Sequence, residues 1–240
     1  MDKITPINAD PNDIRSRIAT DAQGALESSA DFARGGAQAA PDHDATERER
    51  AGRVEKEQRR LVEWAKANGK LGGRIPPEDA SGGEHRVYFD EQSGRYLKAT
   101  IPDKQKGYGI ALGSFTHGAT PAEYLDRLVL QNRIFGDDLR LECVVLKNGK
   151  PVIVTSQPAI AGTPPAQATV DEMMGEKGFE RLGVGAYYDG GEGLLVFDLL
   201  PRNAMQAADG RIYPIDPVVQ RVLPEFADFL RNHPDRINNR

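Results

Sequence analysis

Two runs of alternating apolar and polar residues frame the middle of the chain. Residues 85–90, His85-Arg86-Val87-Tyr88-Phe89-Asp90, and 95–100, Arg95-Tyr96-Leu97-Lys98-Ala99-Thr100, flank the turn Glu91-Gln92-Ser93-Gly94. This pattern predicts a β-hairpin within 81–100. Residues 139–146 and 151–155 repeat it around Asn148-Gly149, the strongest short hairpin signal in the chain. Between the hairpins, Thr120-Pro121-Ala122-Glu123 reads as a helix start, with Thr as N-cap, Pro in the first position and a carboxylate in the third. Tyr124, Leu125, Leu128, Val129, Ile134 and Phe135 supply its apolar face, and Gly136 ends it. Gly/Pro-rich loops are expected up to Gly118 and over 161–166. Farther on, the pattern predicts a short helix at 170–177, short strands at 193–197 and 211–215, and a last helix at 224–232.

The first 45 residues look different. Ile4, Ile7, Ile14, Ile18, Leu26 and Phe32 are thinly spread among Ala, Asp, Ser and Gly, and 35–41 reads as a linker. So little apolar surface predicts a disordered or loosely helical arm, with Ile14 and Ile18 four apart on one short helix. Residues 46–70 form a charged helix. Leu61, Val62, Trp64 and Ala65 give it an apolar patch only near its end, and glycines at 69, 72 and 73 stop it. The remainder, 71–240, is the expected domain.

Composition narrows the function. Net charge is −5, from 31 basic and 36 acidic side chains, which speaks against bulk electrostatic binding of nucleic acid. No apolar run approaches the roughly 18 residues of a membrane helix, and no Sec-type leader is visible. One cysteine, Cys143, excludes an intrachain disulfide or a multi-cysteine metal site, and it reads as a small apolar strand residue. The four histidines are scattered, and His117 reads as an exposed loop residue. A reducing, cytoplasmic setting is the expectation.

Chemistry concentrates in Val196-Phe197-Asp198-Leu199-Leu200-Pro201-Arg202-Asn203, then Ile212-Tyr213-Pro214-Ile215-Asp216-Pro217. A strand delivers Asp198 to a loop, Asn203 follows, and a second strand ends in Asp216. Phosphoryl transfer with magnesium needs such a set. One carboxylate orients the attacking hydroxyl, while a hard oxygen ligand and a second carboxylate hold the metal over the phosphates. Each residue also has a plainer role. Asp198 would cap a turn, Glu123 would complete a capping box, Lys98 would be a solvated strand lysine, and Glu84-His85 would be a loop pair.

Asp198-Leu199-Leu200-Pro201-Arg202-Asn203 resembles the D-L-x-P-x-N catalytic loop of the protein-kinase superfamily, and the spacing on to Asp216 resembles that to the aspartate of D-F-G. More closely, the chain is similar to the small kinase-like domains of phage and prophage polyvalent proteins. The resemblance runs over about 61–223 through Gly82-Gly83-Glu84-His85-Arg86-Val87-Tyr88, Leu97-Lys98-Ala99-Thr100, Ala119-Thr120-Pro121-Ala122-Glu123-Tyr124-Leu125, Thr155-Ser156-Gln157-Pro158 and Pro214-Ile215-Asp216.

This resemblance implies an α+β, compact two-lobed kinase-like fold, with a small antiparallel sheet plus helix and a reduced C-terminal lobe. It implies ATP and magnesium as cofactors, Asp198 as catalytic base, and Asn203 and Asp216 as metal ligands. Lys98 would meet the phosphates, with Glu123 as its partner. Gly82, Gly83, Glu84 and His85 would lie beside the phosphates, and Gln157 at the hinge that meets adenine.

The chain departs from the wider superfamily in several places. Val196-Phe197 precede Asp198 where His-Arg is usual, Pro217-Val218 follow Asp216, and Gly82-Gly83 is not a full G-x-G-x-x-G. Only one short helix is expected to follow, so no activation segment is expected. Three readings stand at this point: a phosphotransferase acting on a protein hydroxyl or on itself, a pseudokinase-like module binding nucleotide or protein without turnover, and an interaction protein working through its N-terminal arm.

Overall fold

The computed structural model describes residues 11–36, 46–75, 77, 80–102, 107–112 and 116–233. Two helices come first, α1 (Pro11–Arg34) and α2 (Glu47–Ala67). They are followed by β1 (Ala80–Ser81), β2 (His85–Asp90), β3 (Arg95–Thr100), β4 (Ile110–Leu112), β5 (Thr116–Gly118) and α3 (Pro121–Phe135). Next come β6 (Arg140–Lys147), β7 (Lys150–Pro158), β8 (Gly162–Thr163) and α4 (Gln167–Glu176). The chain continues through β9 (Glu180–Gly183), β10 (Ala186–Asp189), β11 (Leu194–Phe197) and a 3-10 turn, Pro201–Asn203. It closes with β12 (Ala204–Ala207), β13 (Ile212–Pro214), β14 (Val218–Arg221) and α5 (Pro224–Asn232). The architecture is α+β, with small antiparallel sheets.

Local chemistry explains the best-defined boundaries. Thr46 and Thr120 each close a capping box, with Glu49 and Glu123 respectively, and Pro121 opens α3 where a missing N–H costs nothing. Gly136 ends α3 in the left-handed region, φ 66°. Asn148 and Gly149, at φ 51° and 75°, form the two-residue turn of the β6–β7 hairpin.

The largest sheet has the strand order β1-β2-β3-β7-β6. One face packs under α1, α2 and α3, where Leu26, Ala30, Leu61, Trp64, Leu125 and Ile153 share a core. Its other face carries a smaller cluster around Ala99, Val152 and Val154, with Cys143 half-buried against it. A second sheet, β14-β11-β10-β9, packs with α5 through Leu195, Phe197 and Phe226. It packs with α4 through Val170, Met174, Tyr187 and Val196. Helix α3 joins the two regions. Leu125 lies in the first core, and Leu130 and Ile134 pack in the second.

The N-terminal expectation is revised. Residues 11–34 form a continuous helix, and Leu26, Ala30 and Ala33 are buried in the main core. The physical reason is size: alanines at that spacing let α1 lie close against α2 and α3, so a thin apolar stripe suffices. The linker expected at 35–41 falls largely outside the described residues, as do Ile4, Ile7 and the side chains of Ile14, Ile18 and His117. Part of the loop expected before Gly118 is a hairpin, β4 with β5.

Candidate functional site

Between the large sheet and the short sheet β13-β12-β8 lies a cleft of about 540 Å³. Gly82, Gly83, Glu84, His85, Lys98, Gln157, Asn203 and Asp216 all line it. Of the residues singled out in the sequence, only Asp198 and Glu123 stand outside that lining. Val87, Tyr96, Ile110, Ile160, Met205 and Ile215 make one part of the cleft apolar.

The polar part is built around Asp216, in the loop between β13 and β14. Register in the sheet sets Lys98 between Val87 and Thr155 on the central strand β3. Its Nζ donates to the Ile215 carbonyl at 2.7 Å and lies 3.8 Å from Asp216 Oδ1. Arg127 reaches the same oxygen from α3 at 2.9 Å and bonds Glu84 Oε2 at 2.9 Å through its other Nη. Its Nε donates to the Pro217 carbonyl at 2.7 Å. Glu84 also accepts from the Ile110 N–H at 3.2 Å. Gly109, at φ 128°, permits this approach, because a Cβ there would stand 3.0 Å from Glu84 Oε2.

His85 completes the cluster. Its Nε2 pairs with the Tyr124 hydroxyl at 3.0 Å, and its Nδ1 stands 3.9 Å from Asp216 Oδ2. Burial, reinforced by Lys98 and Arg127, outweighs the pull of Asp216 and drops the imidazole to about 4, so His85 is neutral at pH 7. Burial also lowers Lys98. Although Asp216 is partly open to the cleft, its surroundings are otherwise dry, which pushes its carboxyl up. Lys98, Arg127 and His85 overcome that push and hold it well below the usual range. With His85 neutral, the charges of Lys98 and Arg127 cancel those of Glu84 and Asp216.

Asp198 follows β11 and sits at φ 57°, an uncommon conformation for a residue with a side chain. Asn203 Nδ2 donates to its carbonyl at 2.8 Å and to Oδ2 at 2.9 Å, while Arg202 takes Oδ1 at 2.8 Å. Asp198 is thus one hydrogen bond removed from the cleft lining, through Asn203. The Asn203 carbonyl in turn accepts from the Ile215 N–H at 2.8 Å, which ties this loop to the Asp216 segment.

One expectation changes. Glu123 does not partner Lys98. Its carboxylate accepts from the Thr120 N–H at 2.8 Å and from Arg50 of α2 at 3.0 Å, because position three of the helix faces back toward its cap. One turn later α3 turns toward the carboxylates behind the cleft lining, and there Arg127 meets Glu84 and Asp216. Gln157 lines the cleft, yet its Nε2 donates to the Pro214 carbonyl at 3.0 Å, joining β7 to β13. The backbone beside it is also engaged. Pro158 has no N–H, and the Ala159 N–H goes to the Gly94 carbonyl at 3.1 Å.

Arg127 escaped the sequence reading, and so did the contact of Tyr124 with His85. The available signal was an arginine inside an apolar helical face, between Tyr124 and Leu128. Asp137 was also passed over. Burial raises its carboxyl to about 6 despite the hydrogen bond from Gln131 at 2.7 Å.

Fold and cleft together are those of an α+β domain whose lysine–aspartate–arginine cluster closes the base of a part-apolar cleft. The chain belongs to the serine/threonine/tyrosine kinases found in polyvalent proteins, whose family profile matches residues 54–222. The match begins within α2, so α1 lies outside it. No curated protein and no solved structure matches the chain. No helix among the described residues is long and apolar enough to cross a membrane.

Proposed function

We propose that the cleft binds ATP with magnesium and transfers the terminal phosphoryl group to a hydroxyl of a protein, this chain included. The observation that carries the reading is the meeting of Lys98 and Asp216, 3.8 Å apart at the base of the cleft. They come from segments far apart in the chain, one from each side of the cleft. In this reading the large sheet with α3 is the small lobe of a kinase-like fold, and the sheets from β8 onward are a reduced second lobe. A volume of about 540 Å³ suits a nucleotide-sized ligand. The apolar lining would take the base. With the Ala159 N–H engaged and no N–H on Pro158, hydrogen bonds to the base would fall to the neighbouring carbonyls, and the apolar lining would supply most of the fit.

The donor set fits a hard divalent ion. Among the described residues no donor reaches Asp216 Oδ2 within hydrogen-bond distance, and the commitment of Asn203 Nδ2 to Asp198 leaves its amide oxygen to accept a cation. The neutral cluster supports the same need, since a triphosphate entering it has to bring its own counter-charge. Magnesium held by Asn203 and Asp216 would supply charge neutralisation to the phosphates. Lys98 would hold the phosphates in both ground and transition states. Asp198 would accept the hydroxyl proton at its carboxylate, with Asn203 orienting it.

A second reading, nucleotide binding without turnover, draws on the Asp198 carboxylate. Both of its oxygens are already bonded, to Arg202 and Asn203. Calorimetry with ATP and incubation with γ-labelled ATP separate the two. The phosphotransferase reading expects magnesium-dependent ATP binding, lost in Asp216→Ala, together with label transfer. ATP binding without transfer would favour the second reading. Equal ATP affinity with and without magnesium would overturn the metal assignment.

A further inference from the structure

Arg127 stands in the middle of the metal-binding potential of the site. One ligand atom from each of Glu84, His85 and Asp216 lies within 4.8 Å of the others, a spacing that one divalent ion could span. Carboxylate and imidazole donors of this kind suit manganese or zinc. The Arg127 guanidinium bonds two of the three, Glu84 Oε2 and Asp216 Oδ1, at 2.9 Å each. A planar fork of donors can hold two carboxylates at once, which an ammonium does poorly. Lys98 adds a second basic side chain 3.8 Å from the same Asp216 oxygen. The Oδ1 side of Asp216 is therefore occupied by cations of the protein itself, and only its Oδ2 side is left for a metal.

We propose that Arg127 is a positioning residue that takes the place of a second divalent cation, so that the site holds a single metal ion with its nucleotide. This rests on the nucleotide reading above. A guanidinium does not lose its proton at any physiological pH and cannot leave with the product. It keeps Glu84 and Asp216 neutralised and in register whether or not nucleotide is bound. It also couples α3 to the metal site through Asp216 rather than through the lysine.

The test counts manganese. The full chain is titrated with Mn²⁺, with and without a non-hydrolysable ATP analogue, and free Mn²⁺ is read by electron paramagnetic resonance. The expected result for the wild type is one bound Mn²⁺ per chain with the analogue and none without it. In Arg127→Met, which keeps an unbranched stem but no charge, two bound ions are expected with the analogue and one without it. Mn²⁺ alone should then raise the variant's melting temperature by several degrees and leave that of the wild type unchanged. Two ions in the wild type, or an Arg127→Met protein that folds yet gains no ion, overturns the inference. If Arg127→Met is unfolded without metal, recovery of its circular dichroism on adding Mn²⁺ supports the inference, and failure to recover overturns it. A wild type that binds no nucleotide removes the function reading and this inference together, whereas nucleotide binding with two ions removes this inference alone.

Discussion

On the α3 side of the cleft, the side chains of Lys98, His85 and Arg127 are 10%, 5% and 5% exposed, and each bonds to a residue far away in the chain. On the opposite side, Asp198 and Arg202 are 33% and 61% exposed, and Asp198 is held by neighbours four and five residues away. The first wall is a desolvated ionic cluster, stable only while every member is present. The second is a short loop holding one strained residue, restrained by local hydrogen bonds. Changes in the first wall should therefore register in folding, and changes in the second in chemistry.

Arg127→Ala tests the first half of this contrast most severely. It leaves Glu84, whose side chain is only 13% exposed, without its cation and should cost about 3 kcal/mol of stability by chemical denaturation. A loss below about 1 kcal/mol would mean that the cluster behaves like a surface pair. Asp198→Asn tests the other half. Asparagine tolerates the left-handed conformation, so melting should hardly change. Phosphoryl transfer should fall by roughly 10²–10⁴-fold while ATP affinity stays within a few-fold, since a base acts on the transition state. Lys98→Ala should weaken both affinity and rate. Wild-type transfer in Asp198→Asn would remove its catalytic role.

Acid titration separates the buried groups by sign. His85 is depressed to about 4 in the fold, so its contribution to stability is present above its unfolded value near 6.5 and is lost as pH falls toward 4. That loss amounts to about 3 kcal/mol at most. Asp137, raised to about 6, has the opposite sign. Its contribution is present below its unfolded value near 4 and is lost as pH rises through 6. On acidification it offsets much of the His85 loss, by about 2–3 kcal/mol. Stability measured from pH 7 to 4 should therefore fall less steeply in His85→Gln than in the wild type, and more steeply in Asp137→Asn. Parallel curves for all three proteins would show that neither group is buried as described.

The smallest effect belongs to Glu123→Ala. It removes the capping-box carboxylate and the Arg50 contact, so stability should drop by about 1 kcal/mol while ATP affinity is unchanged. A large loss of ATP affinity would restore Glu123 to the site.

The elements legible in the chain share one property: their signals are local. Thr120 and Glu123 close a box three residues wide, Asn148-Gly149 forms its turn from two residues, and Gly136 ends a helix by its own backbone freedom. The composition of the site was legible for a related reason. Lys98 and Asp216 each end up beside the cleft because the strands that carry or precede them were readable.

Other features lay outside any local window. Nothing near Glu123 says that its partner is Arg50, or that the position one turn later pairs with Asp216. The thin stripe of Leu26, Ala30 and Ala33 looks too weak to bury anything until α2 and α3 close over it. Arg127 reads as an interruption of an apolar face until Glu84 and Asp216, from opposite ends of the domain, meet it. Caps, turns and strands were written in the chain, because a hydrogen bond across a few residues depends only on those residues. Which charges pair was settled by packing, because a buried ion selects whichever opposite charge the fold brings within reach.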